Sequence, residues 1–347
     1  MIPKDLRDRY SRQTVFEGIG EEGQAKLLAS KAVIIGCGAL GCNIASLLVR
    51  AGVGYVKIID RDFPEFHNLQ RQTLFDEDDV KNGVPKAIAA ERYLIKVNST
   101  VKVKGVVADI NFTNVEELCR ETDVILDGLD NFETRFLLND VALKLKIPWI
   151  YGSALMSSGM SMNIIPGKTP CFRCLTSVPP DPASVPTCES AGVVGTVPAI
   201  IGAIQATEAI KILIGSREVS RELIIIDVWK TTFDRLKIKR RENCPACGGN
   251  YQFLNDRFDV KTTTLCGQSR AIQVIDTRVK AVSLARLAGG LTGGKIITRN
   301  RYLLRFTAGE YEISVFPDGR AIVKNTLEPA TARELYEKYV RVSAVPT

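Results

Sequence analysis

The chain has 347 residues, of which 45% are apolar and 24% charged, and a formal net charge of +7. That suffices for one large or two ordinary domains around a sizeable core, and it marks a globular protein. No charged and then apolar leader opens the chain, and no window reaches the roughly 18 uncharged apolar residues of a spanning helix, so the expectation is a cytoplasmic protein with no membrane partner. Nine cysteines in a long chain without a leader suit metal binding, catalysis or core packing in a reducing compartment better than a disulfide scaffold. The basic residues are spread out. Their densest run, "KIKRREN" at 237–243, alternates with apolar residues like a strand edge, so nucleic acid is not the expected partner and an acidic protein fits the charge at least as well.

In chain order, the first 150 residues alternate β-branched runs with helical patterns, as in βαβ units and a parallel sheet. "KAVIIG" (31–36) and "YVKIID" (55–60) predict strands flanking a helix at about 39–51. A helix at 84–97 leads to the strand "TVKVKGVVA", and a short helix near 113–120 leads to "DVILDGLD"; the sheet continues through "IPWIYG". Alternation from Ser157 to Gly167 predicts antiparallel strands, and the proline-rich 171–192 segment a loop. Residues 196–214 predict an apolar helix, followed by a closing strand pair, "RELIIIDV" and "TTFDRLKIK". The expected fold is α/β: a Rossmann-like, mostly parallel sheet continued by antiparallel strands, zinc-stapled, over residues 1–254. A small α+β domain of unknown role is expected over 255–347, built on "RYLLRFTAGEYEISVFPDGRAIVK" and the helix "PATARELYEKYV".

"GCGALG", Gly36 to Gly41, fits G-x-G-x-x-G directly after a strand and opening a helix. Gly36, Gly38 and Gly41 permit a tight turn and close backbone approach, so the helix N-terminus can receive phosphate oxygens. Asp60, ending the next strand, is placed to bind ribose hydroxyls. "GKT" at 167–169 is no second phosphate loop, because position 162, where the first glycine belongs, is Met162. Between the second strand and the next helix, Asp62, Asn68, Arg71, Gln72 and Lys86 are the residue types that grip a triphosphate and its metal: a carboxylate for Mg²⁺, amides, and two cations for phosphate oxygens. A redox cofactor would not need so many.

Cys171 with Cys174 and Cys244 with Cys247 form two C-x-x-C turns. Four such thiolates suit a closed tetrahedral Zn²⁺ site that staples remote segments; the turn-like Pro170 and Pro245 disfavour the redox alternative. Cys37, Cys42 and Cys119 are expected as buried small hydrophobes, and Cys266 has no assignment. Cys188 stands alone in a polar loop just before a predicted helix, where exposure and a helix N-terminus favour thiolate; it is either a nucleophile or a loop residue. With a single histidine, His67, acid–base hydrolysis is disfavoured.

The whole arrangement resembles the ThiF/MoeB-type adenylyltransferases, bacterial relatives of ubiquitin-activating enzymes. The resemblance is carried by "RYSRQ", "GCGALG", "DRDFPEFHNLQRQ", "GVPKA", "LDGLDNFETRFLLND", "TPCFRC", "TCESAG" and "CPACG", in order from residue 9 to about 250, and the C-terminal part resembles a tail found on some members. It implies that Asp60 holds ribose, that Asn68, Arg71 and Lys86 hold phosphates, that Asp130 holds Mg²⁺ and that Asn131 shapes the pocket. It also implies that Arg12 reaches the partner subunit's site in a homodimer, and that Cys188 is the active-site cysteine. Leu129 departs from the pattern, where a Thr is more usual.

The expected function is ATP- and Mg²⁺-dependent adenylation of the C-terminal glycine carboxylate of a small β-grasp sulfur carrier ending in Gly-Gly, with pyrophosphate released. No general base is needed, because the attacking carboxylate is already ionised at neutral pH. The alternatives are a catalytically silent nucleotide- and carrier-binding module and an NAD-dependent oxidoreductase. "VIDTRVKAVSLARLAGG" (274–290) resembles the start of a rhodanese domain, but no cysteine follows Cys266, so a separate protein is the expected sulfur donor.

Overall fold

The structure, a computed structural model, describes residues 6–180, 186–255, 260–264, 270–279, 281–291 and 293–343. It divides into two units, Met1–Asp256 and Arg257–Thr347.

The first unit is built on one eight-stranded sheet of order β3-β2-β1-β4-β5-β6-β7-β8. These strands are β1 (Lys31–Ile35), β2 (Tyr55–Asp60), β3 (Lys102–Val107), β4 (Val124–Asp127), β5 (Trp149–Leu155), β6 (Ser158–Ile164), β7 (Leu223–Asp227) and β8 (Thr232–Leu236). From β3 to β5 all pairings are parallel; from β5 onward they are antiparallel. The order reverses at β1, which pairs β2 on one side and β4 on the other, so a crevice opens at the carboxyl ends of these strands. Side chains of β1 alternate between two cores. Ala32 and Ile34 pack with Ile44 and Leu48 of helix Ala39–Ala51 and with Ile201 of helix Thr196–Ile214; Val33 and Ile35 pack with Phe136 and Val141 of helix Phe132–Leu145.

Five helices longer than a single turn go beyond the sequence expectation among the described residues: Arg7–Thr14, Gly20–Ala29, Glu77–Lys81, Leu284–Gly289 and Phe132–Leu145. The last hides from periodicity because it is buried continuously from Arg135 to Ala142, leaving no polar face to alternate with. The expected 171–192 loop also contains two single turns of helix, Phe172–Leu175 and Cys188–Ala191. The strand expected over "TTFDRLKIK" stops at Leu236, so the whole basic run at 237–243 lies beyond it. Helix Thr196–Ile214 is long and apolar enough to cross a membrane by length and composition. Here it is a core helix against β5, β6 and helix Ala39–Ala51, with Gln205 and Glu208 buried and hydrogen-bonded.

The second unit is a six-stranded antiparallel sheet of order β11-β12-β13-β14-β10-β9, with β9 Val260–Thr264, β10 Ala271–Asp276, β11 Ile296–Arg299, β12 Leu304–Ala308, β13 Tyr311–Val315 and β14 Ala321–Lys324. Helices Leu284–Gly289 and Pro329–Tyr339 complete it, and Ile272, Phe306, Val323 and Tyr336 lie in its core. Cys266 lies outside the described residues.

Candidate active site and metal centre

The glycine loop sits at the switch point, between β1 and helix Ala39–Ala51. Gly36 has φ +91°, and a Cβ there would lie 2.5 Å from the Gly128 carbonyl oxygen; one on Gly41 would lie 2.0 Å from the Gly36 carbonyl oxygen. Both glycines are therefore required by the fold. At Gly38 the nearest atoms to such a Cβ are 3.8 Å and 3.9 Å away, the second being Gln72 Nε2. Space is thus kept open over the middle glycine. Beside it, Gln72 is buried and its Oε1 has no hydrogen-bond partner. A buried amide with its Nε2 at the open glycine cradle and its Oε1 without a partner fits a polar ligand there. Gly36→Ala should therefore destabilise the fold by about 1–3 kcal/mol, whereas Gly38→Ala should leave the melting temperature unchanged and raise KM for ATP.

Asp60 is buried and accepts from the backbone N–H of Cys37 and of Asp62, each at 2.6 Å. Burial pushes its carboxyl up, against the pull of the Lys86 ammonium and the two N–H donors. Lys86 opens helix Lys86–Val97 and is itself buried. Burial opposes its charge, but Asp60, Asp62 and Asp130 outweigh it and hold the ammonium above its ordinary value. These four residues from three loops therefore share one electrostatic site. Asn68 is buried, with its Oδ1 accepting the Glu65 N–H at 3.0 Å. Arg71 donates to the His67 carbonyl at 2.9 Å and acts on the Cys188 thiol through its charge. Asp130 is exposed; Asn131 caps helix Phe132–Leu145 by accepting from the Thr134 N–H.

The sequence reading missed the support beneath Asp130. Buried Asp127 and Arg135 form an ion pair at 3.0 Å; Arg135 also donates to the carbonyls of Leu129 and Gly152, while Asp127 accepts the Leu129 N–H. Burial raises the Asp127 carboxyl, and Arg135 and the Leu129 N–H counter it. The loop that presents Asp130 is thus tied from both sides. A charged residue inside the apolar run "VILD" was the available signal.

Arg12 is not brought to this site within the chain. Its neighbour Gln13 donates to the Ala51 carbonyl, at the C-terminal end of the helix whose N-terminus faces the glycine loop. Thirteen residues of α-helix separate the two ends, about 20 Å.

Cys188 departs from expectation. It is the first residue of helix Cys188–Ala191 rather than an exposed residue ahead of a longer helix, and it is half-buried, with its Sγ 3.7 Å from the Ala154 carbonyl oxygen. Burial pushes its thiol up, against the nearby Arg71 charge, so the favoured state is thiol. A four-residue helix has too little dipole to reverse that. Cys37, Cys42 and Cys119 are buried, as the packing expectation requires; burial pushes Cys119 up to about 12.

The Sγ atoms of Cys171, Cys174, Cys244 and Cys247 all lie within 4.8 Å of one another, with Cys171–Cys174 at 3.8 Å, Cys171–Cys244 at 3.5 Å and Cys174–Cys247 at 3.7 Å. A tetrahedron with Zn–S arms of about 2.3 Å has edges of about 3.8 Å. Around it, the Arg241 N–H points at Cys174 Sγ and the Arg240 guanidinium donates to the Cys247 carbonyl. The donor set and its spacing fit zinc.

The ThiF family model matches residues 10–246. The chain is 41% identical over 339 residues to the sulfur carrier protein ThiS adenylyltransferase of Bacillus subtilis, covering 96% of this chain and all of that protein. It is 39% identical to the SAMP-activating enzyme E1 of Haloferax volcanii, over 70% of this chain and 88% of that one. Among solved structures, it is similar to E. coli MccB with ATP, with a TM-score of 0.62 and 26% identity over 71% of this chain and 77% of that one. With the glycine loop, the Lys86 carboxylate cluster and the cysteine tetrad in their places, the chain belongs to the ThiF family.

Proposed function

We propose that the protein adenylates the C-terminal glycine carboxylate of a small β-grasp sulfur carrier of the ThiS/MoaD kind, in the cytoplasm, using ATP and releasing pyrophosphate. The observation that carries the proposal is the buried Lys86 held as a cation among Asp60, Asp62 and Asp130 at the mouth of the glycine loop. A ThiS-type carrier is favoured because the Bacillus subtilis relative matches over its full length, into the second unit.

In this reading the backbone of the glycine loop and the N-terminus of helix Ala39–Ala51 take phosphate oxygens. Asp60 meets the ribose, and Gln72 Oε1 accepts from a ligand donor. Asn68, Arg71 and Lys86 neutralise and align the phosphates as the carboxylate oxygen attacks the α-phosphorus. Asp130, with Asp62 nearby, would hold Mg²⁺, which supplies further charge neutralisation; Asn131 fixes the start of the helix behind them. The cysteine tetrad would hold a structural Zn²⁺. The reading is tested by ATP–pyrophosphate exchange, which should depend on added carrier.

Action of Arg12 across a homodimer is supported by its placement far from its own glycine loop. It is supported too by exposed Val15 and Phe16 near it, and by Ile200 on the outer face of helix Thr196–Ile214. Arg12→Ala and Asp130→Ala proteins, each inactive alone, should regain about a quarter of wild-type exchange when mixed subunits form heterodimers; no recovery in verified heterodimers would mean action in cis.

For Cys188 we propose attack on the activated glycine, forming a thioester and expelling AMP, before a separate donor supplies sulfur. Because burial raises the thiol, adduct formation should still be rising above pH 8.5. Cys188→Ser should keep pyrophosphate exchange within a few-fold of wild type and abolish the thiol-sensitive adduct on non-reducing gels with mass spectrometry. An adduct that maps to another cysteine would reject the assignment.

A further inference from the structure

We propose that Gln205, buried in helix Thr196–Ile214, is a positioning residue for adenylation: with Arg135 and Asp127 it wedges β4 away from β5 and so sets where the loop carrying Asp130 stands. This rests on the proposed function, in which Asp130 meets Mg²⁺.

The ladder between β4 and β5 is short. They pair only at Ile125 with Trp149 and Leu126 with Ile150, although β5 runs on to Leu155 and pairs with β6 along its whole length. Beyond those two pairs, side chains take the backbone groups instead. Gln205 Nε2 donates to the Asp127 carbonyl at 2.9 Å and to the Ile150 carbonyl at 3.1 Å, so its two N–H bonds go one to each strand. The Asp127 carboxylate accepts the Gly152 N–H, and Arg135 donates to the Gly152 carbonyl at 2.8 Å. Three buried side chains thus fill a gap that main-chain pairing would otherwise close.

Gly152 makes room for the amide. A Cβ there would lie 2.4 Å from both Cδ and Oε1 of Gln205. The Gln205 Oε1 is buried without a partner, so packing alone would favour an apolar residue at this position, as at its neighbours Ile201, Ala206 and Ala209. What the glutamine adds is its pair of donors.

The wedge reaches the site along a fixed main chain. Gly128, next after Asp127, lies against the glycine loop: a Cβ on it would be 2.3 Å from the Gly36 carbonyl oxygen, and its N–H donates to the Ile35 carbonyl at 2.8 Å. The Leu129 N–H then goes to the Asp127 carboxylate at 2.8 Å, and Asp130 follows. The chain entering Asp130 is therefore held from the β5 side by Gln205 and from the β1 side by the glycine loop. A shift at the Asp127 carbonyl passes to both halves of the site, and displacing a reacting group by about 1 Å can cost about 10²-fold in rate.

Gln205→Met keeps the side-chain volume and removes both donors. With ThiS of Bacillus subtilis as the carrier, kcat for pyrophosphate exchange should fall about tenfold to a hundredfold and the Mg²⁺ concentration for half-maximal exchange should rise about threefold, with KM for the carrier within about twofold. Hydrogen exchange at Gly128, Leu129 and Asp130 should quicken about tenfold, while β1 stays as protected as in wild type. A glutamine that only holds the fold together would instead lower the melting temperature and leave kcat and the Mg²⁺ dependence of the folded protein at wild-type values; that result overturns the proposal. Should Gln205→Met not fold, Gly152→Ala tests the same wedge from β5 by driving a Cβ into the amide. It should shift kcat and the Mg²⁺ dependence in the same direction, and a folded Gly152→Ala protein with wild-type values of both also overturns the proposal. If wild-type protein gives no exchange with ThiS, the adenylation reading fails, and hydrogen exchange at 128–130 still decides the wedge: protection there equal to wild type in Gln205→Met overturns it.

Discussion

Asp130→Ala and Arg71→Ala should each lower ATP–pyrophosphate exchange by about 10²–10³, the usual cost of removing one preorganised charge at a reacting centre. The two losses should differ in kind. Asp130 is exposed at the end of a loop clamped by the Asp127–Arg135 ion pair, so its removal should leave the fold intact and take away an exposed carboxylate proposed to meet a divalent cation. Excess Mg²⁺ should recover part of that activity. Arg71 lies close enough to act on the Cys188 thiol, so its loss should also slow adduct formation, and added Mg²⁺ should not compensate. Steady-state exchange across a Mg²⁺ titration, with melting curves as the fold control, reads both. Wild-type rates in both variants would place the chemistry elsewhere.

The second large effect concerns the tetrad. Freshly purified protein should contain one zinc per chain by elemental analysis, and Cys244→Ser should lose it. Structural zinc contributes apparent binding free energies of about 10–16 kcal/mol in finger peptides, all of it available to the fold. Here the sulfurs join the turn after β6 to the turn after β8, and behind them Phe172 and Phe253 both pack on Phe136. Losing a thiolate should therefore release both knuckles from helix Phe132–Leu145. The expected readout is a lower melting temperature and rapid proteolysis near 240–255, with β1 to β4 still protected. Metal-free protein that melts like wild type would show that the cysteines pack without an ion.

Much of the site was legible because its chemistry is local. The glycine loop, Asp60 at a strand end and the two C-x-x-C turns are short segments whose backbone conformation follows from their own residues. The helix expected at 84–97 and found at Lys86–Val97 was equally plain. Helix Phe132–Leu145 was not, because a segment buried all round has no period to detect. The Arg135 clamp was hidden for a related reason: a buried charge looks like an error in an apolar pattern until its partner, eight residues away in sequence, is seen beside it.

The sequence by itself determined the alternating strands and helices, and it marked the residue types proposed to grip a triphosphate and the four cysteines with metal-ligand spacing, since each depends on spacing within a few residues. Only the tertiary structure decided what depends on distant segments. It set the reversal of strand order at β1, which gathers Lys86, Asp60, Asp62 and Asp130 into one field, and it closed the tetrad across 73 residues from Cys171 to Cys244. It placed Arg12 at the wrong end of helix Ala39–Ala51 to serve its own glycine loop. And it turned Cys188 from an exposed loop thiol into a half-buried one, its Sγ 3.7 Å from the Ala154 carbonyl oxygen of β5, where burial outweighs the charge of Arg71 and raises the thiol.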